Sequence, residues 1–473
     1  MKTKKLLLLT LVFGGFAAGQ ASPQAGRALK VGFQPDGSVL TPTHQILRPA
    51  GLQVLFPGRP VDLALSPDEQ VLAVQNIKDV VFVRVRDRAI LQTLPYPRGG
   101  AAYTGILFSP DGKRLYVSGA NREVWVAERR DQVWQWTTTF EFPGPEGEKK
   151  ASAPGGIALT LDGRHLLVCL SRNNSLAIVD LATKAVREIP VGVAPYDVVV
   201  GPDSVSAFVT NWGGRIPGKG VATAITSGSP ILVNPRTGVA SSGTVSFVDL
   251  RQAREVAQVD VGLHPSGLAL SVDGSRLYVA NANSDLVSVI DVARRRVIEN
   301  INVRLSPELP FGSAPNALAV SPDNTTLYVA NGTDNAIAVV ELGLWAGNTG
   351  SYHEDSVVRG FIPTGWYPGS VVLDRAGRFL FVANVKGLGS LNPWTERTGH
   401  NSHDHLGSVS LIRVPDADRL AEYTRTVRKG ARVAGSENAA SSAGKAVPIP
   451  TRPGQRSVFK HVVYIIKENR TYD

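Results

Sequence analysis

The sequence predicts an all-β fold, a seven-bladed β-propeller, on three observations: a short turn pattern that returns seven times, apolar runs of period two around each copy, and a turn-rich composition. The 473 residues include 47 Gly and 31 Pro, with 43% hydrophobic and 19% charged. Such a chain can bury a core, which excludes a disordered polymer or a coiled coil, and its length allows roughly two or three domains. Gly and Pro at this density serve many tight turns, hence many short strands.

Residues 1–21 read as a targeting segment. Lys2, Lys4 and Lys5 precede the apolar run Leu6 to Phe16, and small residues follow at Ala17, Ala18, Gly19 and Ala21. Charge, apolar run and small residues in that order form a secretory signal. Cleavage after Gly19 or Ala21 exports the protein to the periplasm or beyond, and an uncleaved N-terminal anchor is the alternative. No stretch approaches the roughly 20 apolar residues that span a bilayer, so no transmembrane segment is expected after cleavage. No Cys near the cleavage region supports lipoprotein anchoring.

The propeller, residues 22–415, rests on the repeat. Ser109-Pro110-Asp111-Gly112-Lys113-Arg114-Leu115-Tyr116-Val117 returns at Ser271 to Asn281 and Ser321 to Asn331, with weaker copies at Ser66, Thr160, Gly201 and Asp374. The turn Asp, or its equivalent, falls at 68, 111, 162, 203, 273, 323 and 376, so the spacing is 41 to 53 residues except for one of 70. The Gly/Pro/Ser-rich stretch Trp212 to Ser242 accounts for that exception as an insertion. The period suits a blade of about 40–50 residues. In the fifth unit, Ser266 to Ser271, Arg276 to Ala280, Leu286 to Val292 and Arg296 to Val303 read as four strands. A four-stranded sheet cannot bury both faces alone, so seven copies must pack around an axis. The turn Asp residues are read as turn caps and not as calcium ligands.

The seventh unit has strands at Gly369 to Leu373, Phe379 to Asn384 and Gly407 to Val414, and then Pro415 and a helical run Asp416 to Lys429. Its fourth strand is missing. Gly51 to Phe56, an unassigned apolar run before the first unit, is expected to supply it and close the ring. Two loops, Trp212 to Ser242 and Lys386 to Leu406, are expected to project between second and third strands. The helix and an Ala/Ser/Gly/Pro linker occupy residues 416–457, and residues 458–473 change character. Phe459 to Ile466 is a continuous apolar strand of the kind buried in a parallel sheet, followed by Lys467-Glu468-Asn469-Arg470-Thr471-Tyr472-Asp473.

The net charge of +10 is uneven. Lys2, Lys4 and Lys5 and the Lys/Arg-rich stretch 425–470 carry it, and residues 6–424 are neutral. A nucleic-acid partner is therefore not expected for the body. Cys169 is the single cysteine, so no intrachain disulfide exists, and its run Leu166 to Leu170 makes it a buried hydrophobe.

Leu277-Tyr278-Val279-Ala280-Asn281 and its copy 327–331, with Phe381-Val382-Ala383-Asn384 and Phe208-Val209-Thr210-Asn211, resemble the YVTN family of bacterial β-propeller repeats over residues 60–415. That resemblance implies fold and export, and little chemistry. Lys460-His461-Val462-Val463 and Glu468-Asn469-Arg470-Thr471-Tyr472-Asp473 resemble the opening of the phosphoesterase family of bacterial phospholipases C and acid phosphatases, related to alkaline phosphatases. The resemblance implies that Glu468 and Asn469 bind a divalent metal ion in the complete domain. The family's nucleophilic hydroxyl and later Asp ligands would lie beyond Asp473, so this chain is expected to be catalytically silent, with no cofactor for the propeller. The order propeller, linker, motif is similar to bifunctional propeller/alkaline-phosphatase-like proteins.

Other candidates are weaker. His400, His403, Asp404 and His405 fit no standard metal spacing, and His353-Glu354-Asp355 is similar, so both read as solvated loops. Trp212, Trp366 and Trp394 lie at or near inter-strand loops and could line a binding mouth, although packing is the commoner role of Trp. Three functions follow. The preferred one is the exported propeller of a metal-dependent phosphoesterase acting on phosphate esters. The others are a stand-alone binding propeller with an unknown ligand or protein partner, and a propeller enzyme such as a lactonase or quinoprotein-like dehydrogenase. The last would need acidic ligands converging on the axis.

Overall fold

A computed structural model describes residues 30–147, 150–307, 309–343, 345–346, 351–352, 355–391, 404–433, 446–449, 456–461 and 463. Seven four-stranded antiparallel sheets form seven blades. Their innermost strands are Asp62–Leu65, Ala101–Phe108, Pro154–Leu159, Val193–Val200, Pro265–Leu270, Pro315–Val320 and Trp366–Leu373. Each innermost strand packs on that of the next blade, and the seventh packs on the first, so the ring is closed.

The local chemistry explains the blades. Between first and second strands, Ser109 Oγ donates to Asp111 Oδ1 (2.5 Å) and accepts from Arg114 N (2.9 Å), while Asp111 Oδ1 accepts from Lys113 N (3.1 Å). Ser271/Asp273 and Ser321/Asp323 repeat the arrangement. These carboxylates cap turns, as their position predicts. The Asn at the sixth position of the second strand in blades 4, 5, 6 and 7 is fully buried. Asn211 donates to Thr244 and Ser246, Asn281 to Ser288, and Asn384 to Ser408 and Ser410, which ties the second strand to the third. A glycine from the loop entering the blade lies against each amide: a Cβ on Gly192, Gly262 or Gly365 would stand 2.6–2.8 Å from the Asn Cγ.

The core runs as apolar clusters between adjacent blades. Between the first two, Phe82 stacks on Trp134 at 5.0 Å and Tyr96 on Trp125 at 4.8 Å, each pair contributing about 0.5–1.5 kcal/mol beyond its buried area. Cys169 is fully buried and its thiol pKa is pushed up by burial, so it behaves as a small core hydrophobe.

Closure follows the sequence expectation. Leu52–Pro57 pairs antiparallel with Leu406–Arg413 as the outer strand of blade 7, with Val54 opposite Val409. Both loops also emerge between second and third strands as expected. The blade 4 insertion carries a hairpin of its own, Thr223–Thr226 with Ser229–Leu232. An N-terminal three-stranded sheet of two-residue strands, Gly32–Phe33, Val39–Leu40 and Ile46–Leu47, was not expected. It packs Val39 and Leu47 on Leu388 and Leu406, at the root of the blade 7 insertion. Helix α1, Ala417–Gly430, is capped by Asp416, whose side chain accepts from Arg419 N. It buries Leu420 and Val427 against the outer strand of blade 6, Val357–Pro363, so closely that a Cβ on Gly360 would lie 2.5 Å from Thr424 Oγ1.

The expected signal segment, Glu468 and Asn469 lie outside the described residues. Of the expected terminal strand, Phe459, Lys460, His461 and Val463 are exposed and not in a strand, and the remainder is outside.

Candidate axial binding site

The repeat sets the register of the channel. Four residues before the start of each turn, the innermost strands place Asp62, Gly105, Gly156, Asp197, Gly267, Ala317 and Ser370 at equivalent positions. Five are small and two are acidic. Residues at or beside this level, from all seven blades, enclose a cavity of about 190 Å³ on the axis. Asp62 and Asp197 are thus carboxylates of blades 1 and 4 facing one channel.

Their environments differ. Asp62 is satisfied on both oxygens: Oδ1 accepts from Leu63 N (2.8 Å) and Ser370 Oγ (2.8 Å), and Oδ2 from Gly105 N (2.8 Å) and Thr104 Oγ1 (3.0 Å). It staples the inner strands of blades 7, 1 and 2. Burial raises its pKa, and these bonds oppose the rise. Among the described residues Asp197 accepts only from Val198 N at 2.9 Å and, weakly, Leu268 N at 3.4 Å. Burial first, and then the Asp62 charge, push its pKa up to about 7. A carboxyl poised between acid and base at neutral pH is a device of functional sites.

Three positions further out, the equivalent residues are Arg59, Ala102, Ala153, Ala194, His264, Ala314 and Tyr367. Five of them, Ala153, Ala194, His264, Ala314 and Tyr367, precede a proline and adopt φ of 52–63°. Left-handed backbone at a non-glycine residue costs about 1–2 kcal/mol, and here it turns the chain sharply into each inner strand. At this mouth Trp212 is sandwiched between Tyr196 (4.4 Å, 13° between planes) and His264 (4.1 Å, 33°). The indole Nε1 is buried with no acceptor among the described residues, and burial lowers the His264 pKa. On the opposite side Lys386 Nζ lies 4.9 Å from the Trp366 ring and 5.5 Å from that of Tyr367. Trp212 and Lys386 sit where the insertions of blades 4 and 7 begin, so both insertions leave from the same face of the ring. The other face carries wider, open grooves, one of about 1110 Å³ between blades 5 and 6, lined by turn residues such as Asp273, Arg276 and Asp323.

Trp212 and Trp366 therefore stand at the mouth, as the sequence suggested. Trp394, His353, Glu354, His400 and His403 lie outside the described residues. Asp404 and His405 are buried at the base of the blade 7 insertion, which replaces the solvated loop expected for them; Leu406, pairing as a strand residue, draws them inward. Among the described residues no group of three or more His, Cys, Asp or Glu could hold a metal ion. Asp62 and Asp197 escaped the sequence reading, although their alignment four residues before the turn marks them as the acidic exceptions in a small-residue ring.

No family model matches the chain, and no curated protein matches its sequence. A solved structure of Kuenenia stuttgartiensis hydrazine synthase is similar at TM-score 0.56 and 18% identity, over 76% of this chain and 96% of that one. At that identity the likeness is one of fold.

Proposed function

We propose that the chain is the exported propeller of a metal-dependent phosphoesterase, and that the propeller is a binding module working through its axial mouth. The observation that carries the binding role is the convergence on one face of the axial cavity, the Tyr196–Trp212–His264 stack, the Lys386 cluster and both insertions. The catalytic half rests on the terminal motif. By that resemblance Glu468 and Asn469 hold a divalent cation in the complete domain, where hard oxygen ligands supply the charge neutralisation that phosphoryl transfer needs.

The test uses the product of the reading frame extended through a complete domain. Glu468→Ala should reduce phosphoesterase turnover by orders of magnitude and leave the unfolding of the propeller unchanged. An extended product without phosphoesterase activity would leave the stand-alone binding propeller as the reading. A propeller enzyme is the second reading, favoured by Asp62 and Asp197 on the axis. Ester hydrolysis lost in Asp197→Asn and retained in Glu468→Ala would establish it.

A further inference from the structure

We propose that Arg59 and Lys386 form an oxyanion site at the rim of the axial mouth, shaped for the phosphate group of inorganic phosphate or a phosphate monoester. This names the ligand class of the binding face and rests on that reading of the face, independently of the terminal motif.

Arg59 enters blade 1 and Lys386 leaves the second strand of blade 7, and closure brings the two together. A Cβ on Gly369 would lie 2.5 Å from Val385 Cγ2 and 3.4 Å from the Val61 carbonyl oxygen, so the chain segments carrying both cations meet at one corner of the channel. Both residues are half-buried, and neither has an acidic partner among the described residues. Burial and, next, the Arg59 charge lower the pKa of Lys386. Arg59 Nε is buried with no acceptor among the described residues. A buried donor left unmade costs about 1–3 kcal/mol, and two cations brought to one corner of the channel add to that cost. Asp62, the inward carboxylate three residues further along the same blade, already receives four hydrogen bonds.

An anion relieves both costs. The guanidinium fork can donate in parallel to two phosphate oxygens and the ammonium acts as a point charge beside it. The Trp366 and Tyr367 rings lie against the ammonium, limit its hydration and give an organic ester an apolar floor. Two cationic side chains at one corner suit a fully ionised oxyanion better than a neutral sugar.

The experiment is calorimetric titration of the full chain with inorganic phosphate, with phenyl phosphate and with acetate, together with melting midpoints. Saturable binding of phosphate, weaker binding of acetate and a phosphate-induced rise in midpoint are expected. Arg59→Gln and Lys386→Gln should each weaken phosphate about tenfold or more, with midpoints in phosphate-free buffer equal to or above wild type, and Lys386→Arg should retain binding. Tighter binding of phenyl phosphate would identify the ester as the ligand, and equal binding the free anion. Absence of phosphate binding to the wild-type chain, or an undiminished rise in both Gln variants, would overturn the proposal, and neither result bears on the Glu468 test.

Discussion

Asp62 and Asp197 occupy one level of the channel and differ only in how many donors reach them, and that difference sets their chemistry. Asp197 keeps its proton up to about pH 7 in the folded state against an ordinary value of 3.8. Between those limits the native protein binds more protons than the unfolded chain, so stability falls as pH rises, and the loss is complete above about 7. Asp197→Asn should flatten this slope. Urea midpoints at about pH 5 and about pH 7.5 should lie closer together in the variant than in wild type, with a residual slope from Asp334, whose pKa burial raises to about 6; an unchanged slope would show that Asp197 is not a titrating group. The geometry of the second-strand amides, which recurs in blades 4, 5 and 7, invites a second substitution. Gly262→Ala would set a methyl 2.7 Å from Asn281 Cγ, within a fully buried cluster. Overpacking of this kind costs about 1–3 kcal/mol, and chemical denaturation should show a loss of that size with the slope unchanged. The amides were visible in the sequence because Leu-Tyr-Val-Ala-Asn recurs. The carboxylates were not, because each interrupts an apolar inner strand once, and only their position relative to the turn reveals them.

Elements with strong local chemistry were legible before the fold was known. The Ser-x-Asp-Gly turns hold themselves by side-chain bonds within five residues, and α1 begins at a residue that caps it. The N-terminal sheet was hidden because two-residue strands have no period to read, and because its stability comes from Leu388 and Leu406, far away in sequence. The hairpin in the blade 4 insertion was hidden because its four-residue strands, Thr223–Thr226 and Ser229–Leu232, lie in a Gly/Pro/Ser-rich stretch that reads as a loop. Its second strand sets Ile231 against Gly213, and Ser229 accepts from Asn174 Nδ2 of blade 3 at 3.0 Å. The insertion therefore touches the ring without belonging to its sheets. Replacing residues 219–241 by a short turn should keep a single cooperative transition and cost about 1–3 kcal/mol, the usual range for losing one apolar contact and one or two hydrogen bonds. Loss of cooperativity would place the hairpin in the core.

At the scale of the whole molecule, the ring differs from a linear repeat array in having no terminal unit. A linear array unfolds from its ends, because each repeat contacts only its neighbours and the last has one neighbour fewer. Here Leu52–Pro57 completes blade 7 from a point in the chain that precedes blade 1, and the inner strands of blades 7 and 1 pack together. Val54 and Phe56 are buried between these blades with Leu63, Leu72, Phe381 and Val409. The ring is fastened at one strand, and breaking it there should turn a closed molecule into an open one with an exposed edge along Leu406–Arg413. Phe56→Ala should cost about 3–5 kcal/mol. Removal of residues 1–57 should do more than lower the midpoint. Amide exchange should then become fastest in blades 7 and 1 while blades 3 and 4, opposite the break, keep their protection, and the single transition should broaden or split. Uniform loss of protection around the ring in the truncated chain would show that closure is not what couples the blades, and that inter-blade packing alone makes the propeller one cooperative unit.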